Sequence, residues 1–213
     1  MGSGYGVVVE YVRGIPLPLH VALGSYSPAE AGQVMARLLR QMHAVRARAG
    51  LDWNARFRGF ARKLRTLLPE ALGDDLVRFV DSLPEPGTLL HGDPHINNVV
   101  VRGGNPIFID LEYCGFGNPV VDLAIARSRL LLDDFGFRDK ARAVWDALLQ
   151  AYCSEGLPDG MEDPDRYSAI LAEVEHCCFR FKMAYTAPEG LSDEQRARLA
   201  LSAERLELLL GNA

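Results

Sequence analysis

Apolar residues follow two different periods along this chain, and the change of period divides it. Near the start, Val7-Val8-Val9 and Glu10-Tyr11-Val12 form a β-branched and aromatic run. That composition predicts a strand, ended by Gly14 and Pro16. Ser27-Pro28 then supplies an N-cap with proline at the first helical position. From there Val34, Leu38, Leu39, Met42 and Val45 recur at helical spacing, up to Gly50. A second helix is expected from Asp52 to Leu68, stopped by Pro69, and a third from about Asp74 to Leu83, stopped by Pro84.

The period then changes. Thr88-Leu89-Leu90 reads as a short strand, and His91 to Asn98 as a polar loop. Val99-Val100-Val101 and Pro106-Ile107-Phe108-Ile109 flank Arg102-Gly103-Gly104-Asn105, the pattern of a β-hairpin. After Pro119 the helical period returns in Val120 to Leu132, Arg138 to Cys153, Pro164 to about Ala187, and Ser192 to Leu210. Ser192 and Gln195 make a capping box for the last of these. The expected fold is mostly α with a small β-hairpin, an α+β arrangement.

Composition narrows the class. The chain has 213 residues, 48% hydrophobic and 24% charged, which suits a folded domain. No apolar run reaches the ~20 residues that cross a bilayer, and Met1 to Val9 lacks the basic flank and cleavage site of a signal peptide. The four cysteines (Cys114, Cys153, Cys177 and Cys178) form no CxxC pair, so free thiols in a cytoplasmic protein are expected. Residues 1–70 hold 10 Lys+Arg and 4 Asp+Glu, a net +6, while residues 71–213 hold 13 and 24, a net −11. The basic residues of the first part fall on helical periods with no stacking aromatics between them. They read as a solvated helix face, and neither nucleic acid nor membrane is expected as a partner. His176-Cys177-Cys178 looks like a metal cluster, but adjacent helical residues point different ways, so buried thiols are the better reading.

The chemistry concentrates in His91-Gly92-Asp93-Pro94-His95-Ile96-Asn97-Asn98, the hairpin, and Asp110. Asn98 opens the first hairpin strand and Asp110 closes the second, so antiparallel pairing sets them side by side. The loop must hold Asp93 near the same end. Two carboxylates and an amide oxygen at one hairpin mouth suit Mg²⁺, which keeps waters and is completed by substrate phosphates.

The segment matches the phosphotransfer pattern H-x-D-x-x-x-x-N followed by a metal-binding aspartate. With Gly92 after the histidine and Ile109-Asp110 in place of a DFG triplet, it resembles the aminoglycoside phosphotransferase and choline kinase group of the protein-kinase-like fold. Asp110-Leu111-Glu112-Tyr113 and Gly117-Asn118-Pro119-Val120-Val121-Asp122-Leu123-Ala124 extend the resemblance. The first of these stretches leans toward the amino-alcohol kinases. Gly6 to Gly14 resembles the strand and hinge between the two lobes of such kinases, and Leu38 to His43 the first large helix of the C-terminal lobe.

The resemblance implies a small-molecule kinase that moves phosphate from ATP or GTP, with Mg²⁺, to a hydroxyl of a small acceptor. It implies Asp93 as the catalytic base, Asn98 and Asp110 as metal ligands, His91 and Asp122 as supports of the loop, and the backbone of Glu10 and Val12 against the nucleotide base. His95 is placed to touch phosphate or to brace the loop. Glu112 is placed to face a cationic acceptor or to form a structural salt bridge. Together with the acidic second part, Glu112 suggests an amine-bearing acceptor.

A complete kinase of this group carries a smaller N-terminal lobe with a phosphate-covering loop and a lysine on the phosphates. Here only Met1 to Gly6 precede the expected hinge strand, and the first lysine is Lys63. The chain therefore resembles a C-terminal lobe, with residues 1–14 as a hinge remnant and 15–213 as the helical lobe. A catalytic kinase, a half that needs a partner chain, and a non-catalytic interaction module are the readings open at this point. The uncovered strand 7–11 is expected to recruit a partner chain or a second copy.

Overall fold

The structure is a computed structural model that describes residues 11–133, 138–157 and 161–211. In chain order it contains strand β1 (Ile15–Pro16), helices α1 (Leu17–Ala22) and α2 (Pro28–His43), strand β2 (Leu51–Asp52), and helices α3 (Trp53–Arg65) and α4 (Glu70–Asp81). Strands β3 (Thr88–Leu90), β4 (Val99–Arg102), β5 (Asn105–Phe108) and β6 (Gly115–Gly117) follow. Helices α5 (Val120–Arg127), α6 (Arg138–Cys153), α7 (Pro164–Glu175) and α8 (Asp193–Leu210) complete the chain. The strands form two small sheets, ordered β1-β4-β5 and β2-β6-β3. In the hairpin, Val99 stands opposite Phe108 and Arg102 opposite Asn105.

Helix α5 organises the interior. Every residue from Val120 to Ala126 is buried, as expected of a helix with almost no polar face. Val120, Val121, Ala124 and Ile125 pack into a cluster with α3, α4, α7 and α8. Leu123 and Ala126 pack into a second cluster with α1, α2, the hairpin and α6. The single charge in this stretch is Asp122. Helices α7 and α8 are joined by buried Glu173, whose carboxylate accepts from Ser202 Oγ at 2.8 Å, from Arg205 Nη1 at 2.9 Å, and from Arg198.

The capped helices follow the sequence closely. Ser27 and Ser192 each close a capping box, with Glu30 and Gln195, and Asp52 caps α3 by accepting from Ala55 N at 2.9 Å. Helix α2 ends at His43 rather than near Gly50. Helix α4 begins at Glu70, not Asp74, because Pro69 occupies its N-cap position instead of only ending the previous helix. The strand expected over Val7–Val12 lies mostly outside the described residues. Tyr11 and Val12 are not in a strand, and the first observed strand is Ile15–Pro16, paired with Val100–Val101. Pro16, taken as a strand end, is tolerated because β1 is an edge strand.

Two expected continuous helices change winding near their ends. Asp133 N bonds Ser128 O at 3.0 Å and Phe181 N bonds His176 O at 3.0 Å, so Ser128–Leu132 and His176–Arg180 are π-helical turns. The second turn, followed by a 3-10 turn at Met183–Tyr185, ends the helix that the sequence period carries to Ala187.

Helices α2 and α6 touch through Gly32. A Cβ there would lie 2.3 Å from Val144 O and 2.8 Å from Leu148 N, both backbone atoms. Alanine gains about 1 kcal/mol of helix propensity over glycine, but the α6 backbone cannot turn aside. Gly32→Ala is expected to lower stability by about 1–2 kcal/mol, read as a fall of roughly 2–8 °C in Tm. An unchanged or raised Tm would contradict this close approach.

Candidate active site

Residues 91–98 run from β3 into the hairpin, and their backbone is held from below. His91 N donates to Asp122 Oδ2 at 2.8 Å and Gly92 N to Asp122 Oδ1 at 2.9 Å. Asp122 sits in the first turn of α5, where the helix dipole favours a carboxylate. His43 Nε2 approaches Asp122 Oδ2 at 3.0 Å, and its Nδ1 lies 2.7 Å from the Tyr152 hydroxyl. Burial raises the Tyr152 pKa far above the ordinary phenol value, so this hydroxyl stays protonated beside Nδ1.

Gly92 has φ +82°, and a Cβ on it would lie 2.2 Å from Tyr113 O and 2.6 Å from the Trp53 ring. Only glycine lets the loop pass there. Trp53 Nε1 donates to the same Tyr113 carbonyl at 3.0 Å.

The loop and the hairpin are cross-linked by side chains. His91 is fully buried. Its Nδ1 accepts from Asp93 N at 3.2 Å and its Nε2 donates to Ile109 O at 3.1 Å. Both bonds together require the neutral Nε2–H tautomer. Asn98 Nδ2 donates to Asp93 O at 3.0 Å and faces Asp93 Oδ2 at 3.4 Å. Ile109 N donates to Asn98 O at 2.9 Å, which brings the next residue, Asp110, beside Asn98. Asp110 is exposed and has left-handed backbone angles, φ 62° and ψ 62°. Asparagine and aspartate tolerate that region best among residues with a side chain, and such backbone is enriched at functional positions.

A divalent cation fits this donor set. With Nδ2 spent on Asp93, Asn98 presents its Oδ1, an acceptor, and Asp110 presents a solvent-facing carboxylate. Among the described residues no three His, Cys, Asp or Glu side chains form a metal-holding group. The protein's oxygens are thus too few for a closed cage, the situation in which Mg²⁺ keeps waters and takes phosphate oxygens.

Behind Asp93 lies a set of groups that sequence reasoning missed. Arg129 Nε is 3.5 Å from Asp93 Oδ1, and Arg129 Nη2 and Nη1 reach Glu175 Oε1 and Oε2 at 2.9 and 3.2 Å. Asp133 approaches Arg129 at 3.7 Å and Arg180 at 3.0 Å. Carboxylates and guanidiniums alternate here, so the acidic surplus of residues 71–213 is not concentrated beside Asp93. Asp93 and Arg129 also line a small cavity with Trp53, Phe60, Tyr113 and Phe179. The Arg56 guanidinium lies 5.1–5.4 Å from the Trp53, Phe60 and Phe179 rings.

The remaining candidates are placed as follows. His95 is buried, and its Nδ1 accepts from Asn97 N at 2.9 Å. Burial holds its pKa below the ordinary histidine value. Glu112 is exposed in a 3-10 turn after Asp110. Glu10 lies outside the described residues, and Val12 is half-buried. Cys177 Sγ contacts Ser202 Oγ at 3.1 Å and Cys178 Sγ contacts Phe60 O at 3.6 Å, both as buried thiols. Among the described residues, no helix is long and apolar enough to cross a membrane.

This loop, hairpin and buried aspartate on a helical body define the kinase-like phosphotransferase class. The chain belongs to the phosphotransferase enzyme family known as APH, whose sequence profile matches residues 2–170. No curated protein matches it. Solved structures similar to it include a choline/ethanolamine kinase family protein from Mesorhizobium loti, at 19% identity and TM-score 0.52, covering 92% of this chain and 65% of that one. Amicoumacin kinase hAmiN, in complex with AMP-PNP, Ca²⁺ and Ami, is similar at 17% identity and TM-score 0.56, over 86% of this chain and 60% of that one. A thermostable mutant of aminoglycoside phosphotransferase APH(4)-Ia is similar at 14% identity and TM-score 0.55, over 95% and 70%. At these identities the likeness is one of fold, and this chain spans only 60–70% of the length of these three proteins.

The buried polar set gives a pH signature. His176 faces Asp133 and Ser128, and burial, with Arg198, Arg129, Arg180 and Arg205 around it, pushes its pKa from 6.5 down to about 3. The unfolded chain takes up a proton below pH 6.5 that the fold refuses, so this contribution to stability is lost as pH falls. Between pH 6.5 and 5 the loss is about 1.5 kcal/mol. Glu175, whose pKa burial raises, acts in the opposite sense. The histidine part is therefore read by difference: His176→Gln should flatten the dependence in denaturant unfolding, and an unchanged slope would contradict it.

Proposed function

We propose that the chain is the catalytic lobe of a small-molecule kinase that transfers a phosphoryl group from ATP or GTP to a hydroxyl of a small, amine-bearing acceptor. The observation that carries this reading is the meeting of Asp93, Asn98 and Asp110 at one hairpin mouth, with Asn98 bonded to Asp93 and backbone-paired to Ile109. Asp93 accepts the proton of the acceptor hydroxyl, whose oxygen bonds to the γ-phosphorus as the bond to the β-phosphate oxygen breaks. Asn98 and Asp110 would hold Mg²⁺, which supplies charge neutralisation on the phosphates. His91 and Asp122 keep the loop in place through the bonds described above.

The amine is supported by the similar proteins, which are named for choline or ethanolamine, amicoumacin and aminoglycoside. Exposed Glu112 is the carboxylate offered to it. Glu10 and Val12 are proposed to meet the nucleotide base through their backbone. On this stretch of chain the metal site is the group proposed to meet the phosphates. A second reading is a partner-dependent half: among the described residues β1 is an edge strand, with Ile15 45% exposed, and it offers a place for a partner.

Phosphoryl transfer from ATP to amino alcohols, aminoglycosides and neutral sugars tests the reading. Amine-bearing acceptors should be preferred, and Asp93→Asn should lower turnover ~10²-fold or more with little change in nucleotide affinity. Asp110→Ala should abolish the paramagnetic broadening of ATP by protein-bound Mn²⁺. Preference for neutral sugars would remove the amine, and near-normal turnover by Asp93→Asn would remove Asp93 from its role.

A further inference from the structure

Asp93 presents two carboxylate oxygens in different situations. Oδ2 faces Asn98 at the hairpin mouth. Among the described residues Oδ1 is buried and accepts no hydrogen bond, and Arg129 Nε lies 3.5 Å from it. A buried carboxylate oxygen without a hydrogen bond is costly unless a fixed positive charge faces it.

Arg129 is itself fixed. Its two Nη atoms are forked onto Glu175, a bidentate geometry that sets the direction of the third nitrogen. Phe179 lies under the guanidinium at 5.8 Å. Glu175 is held in turn by Ser128 Oγ at 2.5 Å. The pair sits where two helices change winding together. Arg129 is in the π turn Ser128–Leu132, and Glu175 immediately precedes the π turn His176–Arg180. A π turn adds a residue to the helical turn and re-aims the side chains that follow.

We propose that Arg129 is the positioning residue for Asp93: its Nε edge holds Oδ1, and so commits Oδ2 to the hairpin mouth where the acceptor hydroxyl would stand. This rests on Asp93 being the group that acts on the acceptor. Arg129 needs no contact with acceptor or nucleotide to do it, and the ion pair with Glu175 serves to aim the guanidinium. A bare ion pair in the core contributes little net stability over an apolar pair of the same volume, so its worth lies in direction.

Nuclear magnetic resonance on the whole chain, without ligand, tests the proposal. Three-bond couplings from the backbone nitrogen and carbonyl carbon to Asp93 Cγ report its χ1. Wild type should show one staggered rotamer, and Arg129→Lys, which keeps the charge, should retain most of it. The double variant Arg129→Met/Glu175→Gln removes the charge behind Asp93 without leaving Glu175 ionised and buried; Asp133 keeps Arg180, and the part-exposed Asp93 side chain can turn Oδ1 toward water, so its couplings should average. A folded double variant with single-rotamer couplings would overturn the proposal.

A second measurement needs no change at Arg129. The Arg129 Nε–H resonance, identified by its loss in Arg129→Lys, should move in Asp93→Asn and stay in place in Asp110→Asn. No movement in Asp93→Asn would overturn the contact. With an acceptor in hand, Arg129→Met/Glu175→Gln should lower kcat ~10-fold or more with the nucleotide KM unchanged, and Arg129→Lys should retain most of the activity. A raised KM at unchanged kcat would assign Arg129 to binding instead. Absence of transfer by the wild type would sink the kinase reading alone, since the couplings and the Nε–H shift decide the contact without turnover.

Discussion

The Asp122 carboxylate has no exposed surface, and both of its oxygens are occupied by groups from other parts of the chain. Two are backbone N–H groups of the loop that carries Asp93, and the third is the His43 ring from the end of α2. A buried charge of this kind is stable only with such partners. The dependence also runs the other way, because the His91 and Gly92 N–H groups would be buried donors without an acceptor. One residue thus joins the central helix, the second helix and the 91–98 loop.

The rest of the site follows from that junction. Once the loop is seated on α5, His91 can bridge Asp93 N to Ile109 O, and Asn98 can bond Asp93 while its own carbonyl takes Ile109 N. The hairpin mouth and the loop then move as one piece, which is the precondition for positioning-based catalysis. The opposite side of Asp93 belongs to α5 and α7, whose π turns bring Arg129 and Glu175 together. Helix α5 therefore supplies both the support beneath the loop and the charge behind its aspartate.

Much of this was legible in the sequence where local patterns are strong. The hairpin was marked by two apolar triplets around Gly103-Gly104, and the helices at Ser27 and Ser192 by their caps. The loop residues stood out because their types and spacing serve one chemistry. Illegible features were of two kinds. The strands Leu51–Asp52 and Gly115–Gly117 are too short to show a period, and the π turns keep the apolar pattern of an ordinary helix. The groups behind Asp93 come from positions 36 and more residues downstream. Nothing at Arg129 or Glu175 distinguishes it locally from a surface charge. Likewise His43 fell inside a helical period, with no local sign that its partners Asp122 and Tyr152 lie far along the chain.

Amide hydrogen exchange at His91 and Gly92, compared between wild type and Asp122→Asn, tests most directly whether Asp122 holds the 91–98 loop. In the wild type both amides should exchange as slowly as the core of α5. In Asp122→Asn, which keeps the shape but replaces one acceptor oxygen with a donor, they should exchange ~10-fold or more faster, while the amides of α6 keep their protection. Unchanged protection at His91 and Gly92 in a folded Asp122→Asn protein would contradict the claim, and with it the dependence of the site on this one buried carboxylate.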